Sequence, residues 1–505
     1  MQLLPLFIII PVLASLITAI IARQNNKIAD FICFLAGISL WGLSVYLLIV
    51  FKNQALLVFA QSRWGWSEGV LLVADGLSIV LLSMVYFLFM SMFIYNFRFL
   101  KAAEQRWGYH VIVLLLLTGI NGVLIAADIF TMYVFLEVAV IASYALVIFR
   151  NKTRAFLSFF KYMVTGIFAS ALILMAIAVC YSYVATLNMA EISRQISIRA
   201  VNSNLLSENP VVCFMGILFA LGIGLKTGLI PFLSSISNIQ VQTKTPATNI
   251  LSVLFLPVIG IYLFLRIFFN VLMLGTEFSN FIIFWAVMLI FTGIIRAMFK
   301  NNFKEVLACV YITEIGICLL AIGIGNLLTI TAGLMHLFHY MINRAVLNSY
   351  AGIFEYTQGT TDFILIKGFK VKMPVIAITS LIGSFSFVGI PPFSGFWTKA
   401  AIVAGAEQAG FQWALPFMVI VSLGSFIIFF KVQSRIFFNF NKNNEKLPSR
   451  QGIPLLMKTA MVILAFVSLL INVLWLIPEE EMFLTPIAKT IKNSKDYASR
   501  IMDIF

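Results

Sequence analysis

The chain has 505 residues, of which 61% are hydrophobic and 11% charged, and its mean hydropathy is +1.02. A water-soluble protein carries about a quarter charged residues, so that class is excluded. The net charge of +14 is spread over short loops rather than gathered into a patch, which argues against a nucleic-acid partner.

Apolar runs near the length a helix needs to cross a bilayer recur from end to end. In chain order the predicted spans are 2–22, 29–51, 73–97, 108–126, 128–149, 155–184, 210–232, 248–270, 281–299, 304–323, 326–355, 374–405, 410–433 and 455–477. The first lacks a basic leader and a small-residue cleavage site, so it reads as a retained helix. Connections are short except 185–209 and 434–454, which are polar enough to hold surface helices. With no low-complexity linker, 1–505 reads as one membrane domain: N-terminal helices over 1–107, five-helix units at 108–270 and 281–433, a last helix at 455–477 and a polar tail at 478–505.

Lysine and arginine concentrate on the cytoplasmic side of membrane proteins. With the N-terminus outside, the loops expected inside hold 21 basic residues and those expected outside hold 8. Both termini are therefore expected outside.

Signs of bond-making chemistry are missing. The cysteines (Cys33, Cys180, Cys213, Cys309 and Cys318) all lie in apolar runs and make no CxxC pair. The histidines (His110, His336 and His339) are too few and too badly spaced for a catalytic metal site. There is no Walker loop, dinucleotide fingerprint or serine elbow. No cofactor is expected in this chain.

Ionisable groups inside the spans carry the functional signal. They are Lys161, Lys226, Arg266, Arg344 and Lys399, with Asp75, Asp128, Glu137 and Glu314. Each costs at least about 2.5–3.5 kcal/mol at mid-bilayer and marks a partner or a wet cavity. Together they imply a polar axis. Arg266, at a helix end, reads as an interfacial anchor, Asp128 and Lys161 as supporting groups, and Arg344 as a partner for Glu314. Lys226 is followed by Gly228 and Pro231, and Lys399 is preceded by "GIPPFSGFW" (389–397), so both stand beside stretches unable to run as regular helix. Glu137 precedes Lys226 by 89 residues and Glu314 precedes Lys399 by 85. Paired interrupted spans in corresponding halves point to inverted repeats around an ion site. The expected fold is an all-α polytopic membrane protein of about fourteen transmembrane helices, with two inverted five-helix repeats, each containing a broken helix.

These motifs together resemble the antiporter-like membrane subunits of respiratory complex I, of Mrp-type cation/proton antiporters and of energy-converting membrane hydrogenases. The resemblance runs from "DGLSIVLL" (75–82) to "GIPPFSGFWTK" (389–399). "DIFTMYVFLEVAVIASYALV" (128–147) resembles the family's fifth helix and puts Glu137 on its functional glutamate. "LKTGLIPF" (225–232) resembles the broken seventh helix and puts Lys226 on its central lysine. "NFKEVLACVYITEIG" (302–316) resembles the opening of the tenth helix, and "GIPPFSGFWTK" resembles the broken twelfth, with Lys399 on its terminal proton carrier.

Three departures stand out. "LSSIS" (233–237) replaces the usual His-Thr-Trp-Leu-Pro. "SVLFLPVIGIY" (252–262) has Val258 and Ile259 where the eighth helix carries a lysine. "HLFHYMINR" (336–344) keeps His336 but has Tyr340 and Arg344 in place of a second histidine and a lysine, and arginine does not give up its proton. The resemblance implies a multi-pass subunit in the inner (cytoplasmic) membrane of a prokaryote, working beside other membrane subunits in contact with lipid. It would move protons, with Na+ as the candidate coupled cation, along Glu137, Lys226, His336 or Glu314, and Lys399, while redox steps stay with partner subunits. Two alternatives stay open: a conduction-deficient assembly subunit of the same fold, and a self-sufficient cation/proton antiporter or inorganic-carbon uptake component.

Overall fold

The structure is a computed structural model and describes residues 3–21, 25–51, 57–60, 71–100, 106–149, 156–203, 210–229, 239–273, 276–363, 365–366, 374–437, 452–476 and 484–492. The first six helices are α1 (Leu6–Ile21), α2 (Asn26–Phe51), α3 (Gly76–Phe99), α4 (Arg106–Ile125), α5 (Ile129–Ile148) and α6 (Phe156–Val184). A surface helix, α7 (Met189–Ser203), falls inside the long polar connection, as its composition predicts. Then come α8 (Pro210–Thr227), α9 (Thr245–Val271), α10 (Thr276–Phe299), α11 (Phe303–Ile324) and α12 (Leu327–Gln358). The chain continues with α13 (Pro374–Val388), α14 (Ser394–Gln408), α15 (Ala414–Phe437), α16 (Leu455–Leu470) and α17 (Leu484–Lys492).

Eleven helices among the described residues are long and apolar enough to cross a membrane, which makes this a multi-pass membrane protein; α1 and α13 are shorter apolar helices. One hairpin departs from the all-helical expectation: β1 (Leu57–Ala60) pairs antiparallel with β2 (Leu71–Ala74), Leu57 opposite Ala74. Four apolar residues per strand are too few to reveal a strand period inside an apolar chain.

Short polar caps start the helices. Asp75 accepts from the Ser78 amide at the start of α3, and Asp128 from the Thr131 amide at the start of α5. Asn302 and Asn326 do the same for α11 and α12. Each satisfies an amide that the first turn leaves without a helical partner.

Burial sorts the helices into rings. The most apolar stretch of α9 is wholly buried and that of α11 is 94% buried, whereas those of α2 and α6 are each 33% buried. The outer helices turn large apolar side chains outward, among them Phe284, Leu423 and Phe430. In water such a surface would drive aggregation; against acyl chains it is matched. The inner pair is wrapped around α12, a 32-residue helix buried along almost its whole length. α9 changes gauge twice, with wide π turns over Ile250–Phe255 and Leu265–Val271. Pro257, which has no amide hydrogen, sits just after the first of these. Such wide turns are frequent at functional sites.

Two breaks shape the interior. α8 stops at Thr227, where Gly228 takes φ +75°, a left-handed conformation that glycine adopts without steric cost. Pro231 and the "LSSIS" stretch lie outside the described residues. The expected span 374–405 is two helices, α13 and α14, parted at Gly389 (φ +84°) and the following Pro-Pro. The C-terminal segment is not simply a polar tail: α17 buries Leu484, Ile487, Ala488 and Ile491, and its Thr490 carbonyl accepts from Asn270 Nδ2. Its short apolar stripe, flanked by lysines, falls below the length that marks a span.

Candidate functional site

The first centre lies where α5, α6 and the end of α8 meet. Lys226 occupies the last turn of α8, where unpaired carbonyls carry partial negative charge and favour a cation. Its Nζ donates to Glu137 Oε1 at 2.6 Å and to Ser170 Oγ at 2.7 Å. The lysine side chain is 3% exposed and the glutamate 26% exposed. The pairing of Glu137 with Lys226 expected from the sequence is therefore present. Ser170 was not expected; no periodicity marks one serine on an apolar helix.

The second centre lies where α11, α12 and α14 converge. His336 Nδ1 is 2.9 Å from Thr398 Oγ1, and its Nε2 lies 2.9 Å from Glu314 Oε2. That second contact does not meet hydrogen-bond geometry, and it is an ion pair only when the imidazole is protonated. His339 Nδ1 is 2.7 Å from Ser394 Oγ and 3.1 Å from Asn343 Nδ2. Ligand atoms of Glu314, His336 and His339 all lie within 4.8 Å of one another, and all three residues are buried. Counting histidines along the sequence did not anticipate this cluster, because its third member comes from a different helix.

Lys399, on the second turn of α14, reaches back across the break. Its Nζ donates to the carbonyls of Phe387 at 2.8 Å and Val388 at 3.2 Å, the last residues of α13. The lysine thus satisfies acceptors that the broken helix leaves open.

Between the centres runs a row of polar groups. Tyr311 donates to the Thr227 carbonyl at 2.9 Å, one residue from Lys226. Its ring lies 5.9 Å from that of Tyr340, whose hydroxyl donates to the Ser252 carbonyl at 2.9 Å. Val258 and Ile259, where the resemblance implies a lysine, are fully buried and apolar.

Other expectations are corrected. Arg344 does not pair with Glu314. It is fully buried, donates to Gln240 Oε1 at 2.6 Å and to the Leu307 carbonyl, and so crosses to α11 well away from the carboxylate. Arg266 is not an interfacial anchor: its Nη2 meets Asp75 Oδ2 at 2.7 Å in a buried pair that ties α9 to α3. Lys161 is exposed on the outer α6, outside either centre. Asp128 is the cap of α5. Sequence reading also misses the pair of buried Lys304 with half-buried Glu355 at 2.6 Å, where Glu355 also accepts from the amide and hydroxyl of Thr245. A span boundary at residue 304 puts that lysine among the loop charges.

Comparison with known proteins places this geometry. The chain is 25% identical over 508 residues to a Na(+)/H(+) antiporter subunit of Bacillus subtilis strain 168, covering 98% of this chain and 99% of that one. It is 26% identical over 403 residues to the Na(+)/H(+) antiporter subunit of the same type from Alkalihalophilus pseudofirmus OF4, covering 79% and 80%. Its fold is similar to a chain of the Mrp complex from Dietzia sp. DQ12-45-1b, at TM-score 0.87 and 21% identity, covering 98% of each. It is also similar to a chain of respiratory complex I from Thermus thermophilus, at TM-score 0.81 and 17% identity, covering 97% and 99%. Residues 126–427, more than half of the chain, match the family described as NADH:quinone oxidoreductase/Mrp antiporter, TM, and the chain belongs to that family.

Proposed function

We propose that this chain is an ion-translocating membrane subunit of a multisubunit complex, moving protons, with Na+ as the candidate exchanged cation. The carrying observation is the Glu137–Lys226 pair at a helix break, a buried ammonium held by one carboxylate and one hydroxyl. Relatives described as Na(+)/H(+) antiporter subunits support the ion, and the multisubunit assemblies of similar fold support the partners.

In this reading the chain crosses the membrane fourteen times in two inverted five-helix units, with both termini outside the inner membrane of a prokaryote. Protonation of Glu137 releases the Lys226 ammonium from its counter-charge. The lysine proton then passes by way of bound water and the Tyr311–Tyr340 row to His336 and Glu314, and leaves past Lys399. Glu137 stands between the exposed apolar Val134 and Ile141 and is itself partly exposed. A carboxylate facing lipid is costly, so a neighbouring subunit covers this face and sets the charge of the pair.

The test is Lys226→Ala in inverted vesicles carrying the whole complex. Coupled proton movement is expected to fall to background with assembly intact; undiminished movement refutes the relay. A second reading, a structural subunit without conduction, is favoured by buried Val258 and Ile259 alone. It expects that variant to assemble and transport like the parent.

A further inference from the structure

Glu314, His336 and His339 have a property that the relay does not use. Glu314 Oε1 and Oε2, His336 Nε2 and His339 Nε2 make no hydrogen bond among the described residues, although Glu314 Oε2 and His336 Nε2 touch at 2.9 Å. All three residues are at most 1% exposed. Leaving one buried polar atom without a partner costs about 1–3 kcal/mol, so Glu314 Oε1 and His339 Nε2, outside that contact, call for an occupant.

The chemistry of the donors selects it. Each imidazole is held from its far nitrogen: His336 Nδ1 against the Thr398 hydroxyl at 2.9 Å and His339 Nδ1 against the Ser394 hydroxyl at 2.7 Å. The Asn343 amide, which has two hydrogens, donates to the His339 carbonyl at 2.9 Å and also lies 3.1 Å from His339 Nδ1. An imidazole whose Nδ1 donates to such a hydroxyl keeps its Nε2 lone pair free to bind an ion. Metal-binding histidines are oriented in this way, the second ring nitrogen fixed by a hydroxyl, carbonyl or carboxylate. Two residues three apart on α12 share a face, and α11 brings the glutamate opposite. A first-row dication bound at about 2.0–2.2 Å sets tetrahedral ligands about 3.3 Å apart. Glu314 Oε2 and His336 Nε2 are 2.9 Å apart, and the whole set lies within 4.8 Å, so modest side-chain closure reaches that geometry.

We propose that Glu314, His336 and His339 form a buried binding site for a divalent transition-metal ion of the Zn2+ class. Two imidazole nitrogens and one carboxylate suit borderline dications and leave one coordination position open. Na+, Mg2+ and Ca2+ prefer all-oxygen shells, so this is not the site of a transported Na+. A bound ion occupies His336 and Glu314 and so closes the proposed relay through them; the test of the site itself uses no transport readout.

The full-length protein, purified with its native membrane partners through a tag free of histidine, is titrated with Co2+, whose ligand-field absorption reports four-coordinate nitrogen and oxygen surroundings. One saturable Co2+ per chain is expected, displaced by Zn2+ and not by excess Na+ or Mg2+. Glu314→Gln and His339→Gln remove the signal. Ser394→Ala and Thr398→Ala, which change no ligand, weaken binding by about 10- to 100-fold. The site is overturned by the absence of a saturable signal in the parent protein, or by an equal signal in a Glu314→Gln/His339→Gln double variant that still assembles. Unchanged affinity in both hydroxyl variants overturns it as well, because the supported imidazoles are its basis.

Discussion

Neutralising half of the Asp75–Arg266 pair should harm the protein far more than neutralising all of it. Arg266 Nη2 meets Asp75 Oδ2 at 2.7 Å, with the two side chains 3% and 7% exposed. Asp75 Oδ1 also caps α3 through the Ser78 amide at 3.0 Å. Arg266→Met keeps the cap but strands a buried carboxylate, at a cost of about 3–5 kcal/mol. Asp75→Ser also keeps a competent cap residue but strands the guanidinium, at a similar cost. The double variant removes both charges and keeps the cap; it loses weaker contacts of Arg266 such as those with Tyr262, Asn270 and the Ser78 hydroxyl, at 3.2, 3.4 and 3.5 Å. Each of those neutral partners contributes about 1 kcal/mol or less. The double variant should therefore exceed either single one in stability by about 2–3 kcal/mol, which is roughly 30- to 150-fold in an equilibrium constant. Because polytopic proteins unfold irreversibly, the readout is the half-life of the assembled peak in fluorescence-detected size exclusion at one fixed temperature. A double variant that decays as fast as Arg266→Met refutes the argument, since the pair would then contribute through packing and not through mutual neutralisation.

Lys399→Met should uncover the carbonyls of Phe387 and Val388, costing about 1–3 kcal/mol for each acceptor left buried, so its thermal half-life drops alongside any loss of transport. An unaltered half-life would show that Lys399 does not brace the break. On the surface helix α7, burial pushes the Glu191 carboxyl up, but hydrogen bonds from Arg194 and Gln195 and the Arg194 charge outweigh it and hold it below the usual glutamate range. A depressed carboxyl stabilises the folded helix above its unfolded-state titration and loses that contribution as pH falls through the folded one. Amide exchange over Met189–Ser203, corrected for intrinsic rates, should quicken in that acid range, and Glu191→Gln should flatten the dependence.

Span positions were readable because an apolar run is a property of contiguous sequence, and here each expected run contains helix. The Glu137–Lys226 pair was readable because charges at membrane depth are rare enough for two of them to find each other on paper. Arg266 was misread for the complementary reason. Its partner lies 191 residues away at the cap of α3, and a residue near a helix end looks like an anchor until the facing helix is known. Arg344 has the same history, its acceptors being an amide and a backbone carbonyl that carry no charge signal. Ser170, Ser394 and Thr398 were invisible because hydroxyls are ordinary in membrane helices, and only the packing of α6 on α8 and of α14 on α12 makes these three specific. The break at Gly389 showed in composition, but that Lys399 bridges it depends on how α14 folds back.

α12 also sets distances. At 1.5 Å per residue its 32 residues extend about 48 Å, against a hydrocarbon core of about 30 Å. His336 and Arg344 are separated along it by about 12 Å, and Arg344 and Glu355 by about 16 Å. Arg344 keeps its proton, so on this rod it and Glu355 are structural marks and not stops of the proposed relay. The rigid rod acts as a graduated scale that holds His336, Arg344 and Glu355 at set heights, and a one-residue insertion between His336 and Arg344 would turn every later mark by about 100° onto a different neighbour.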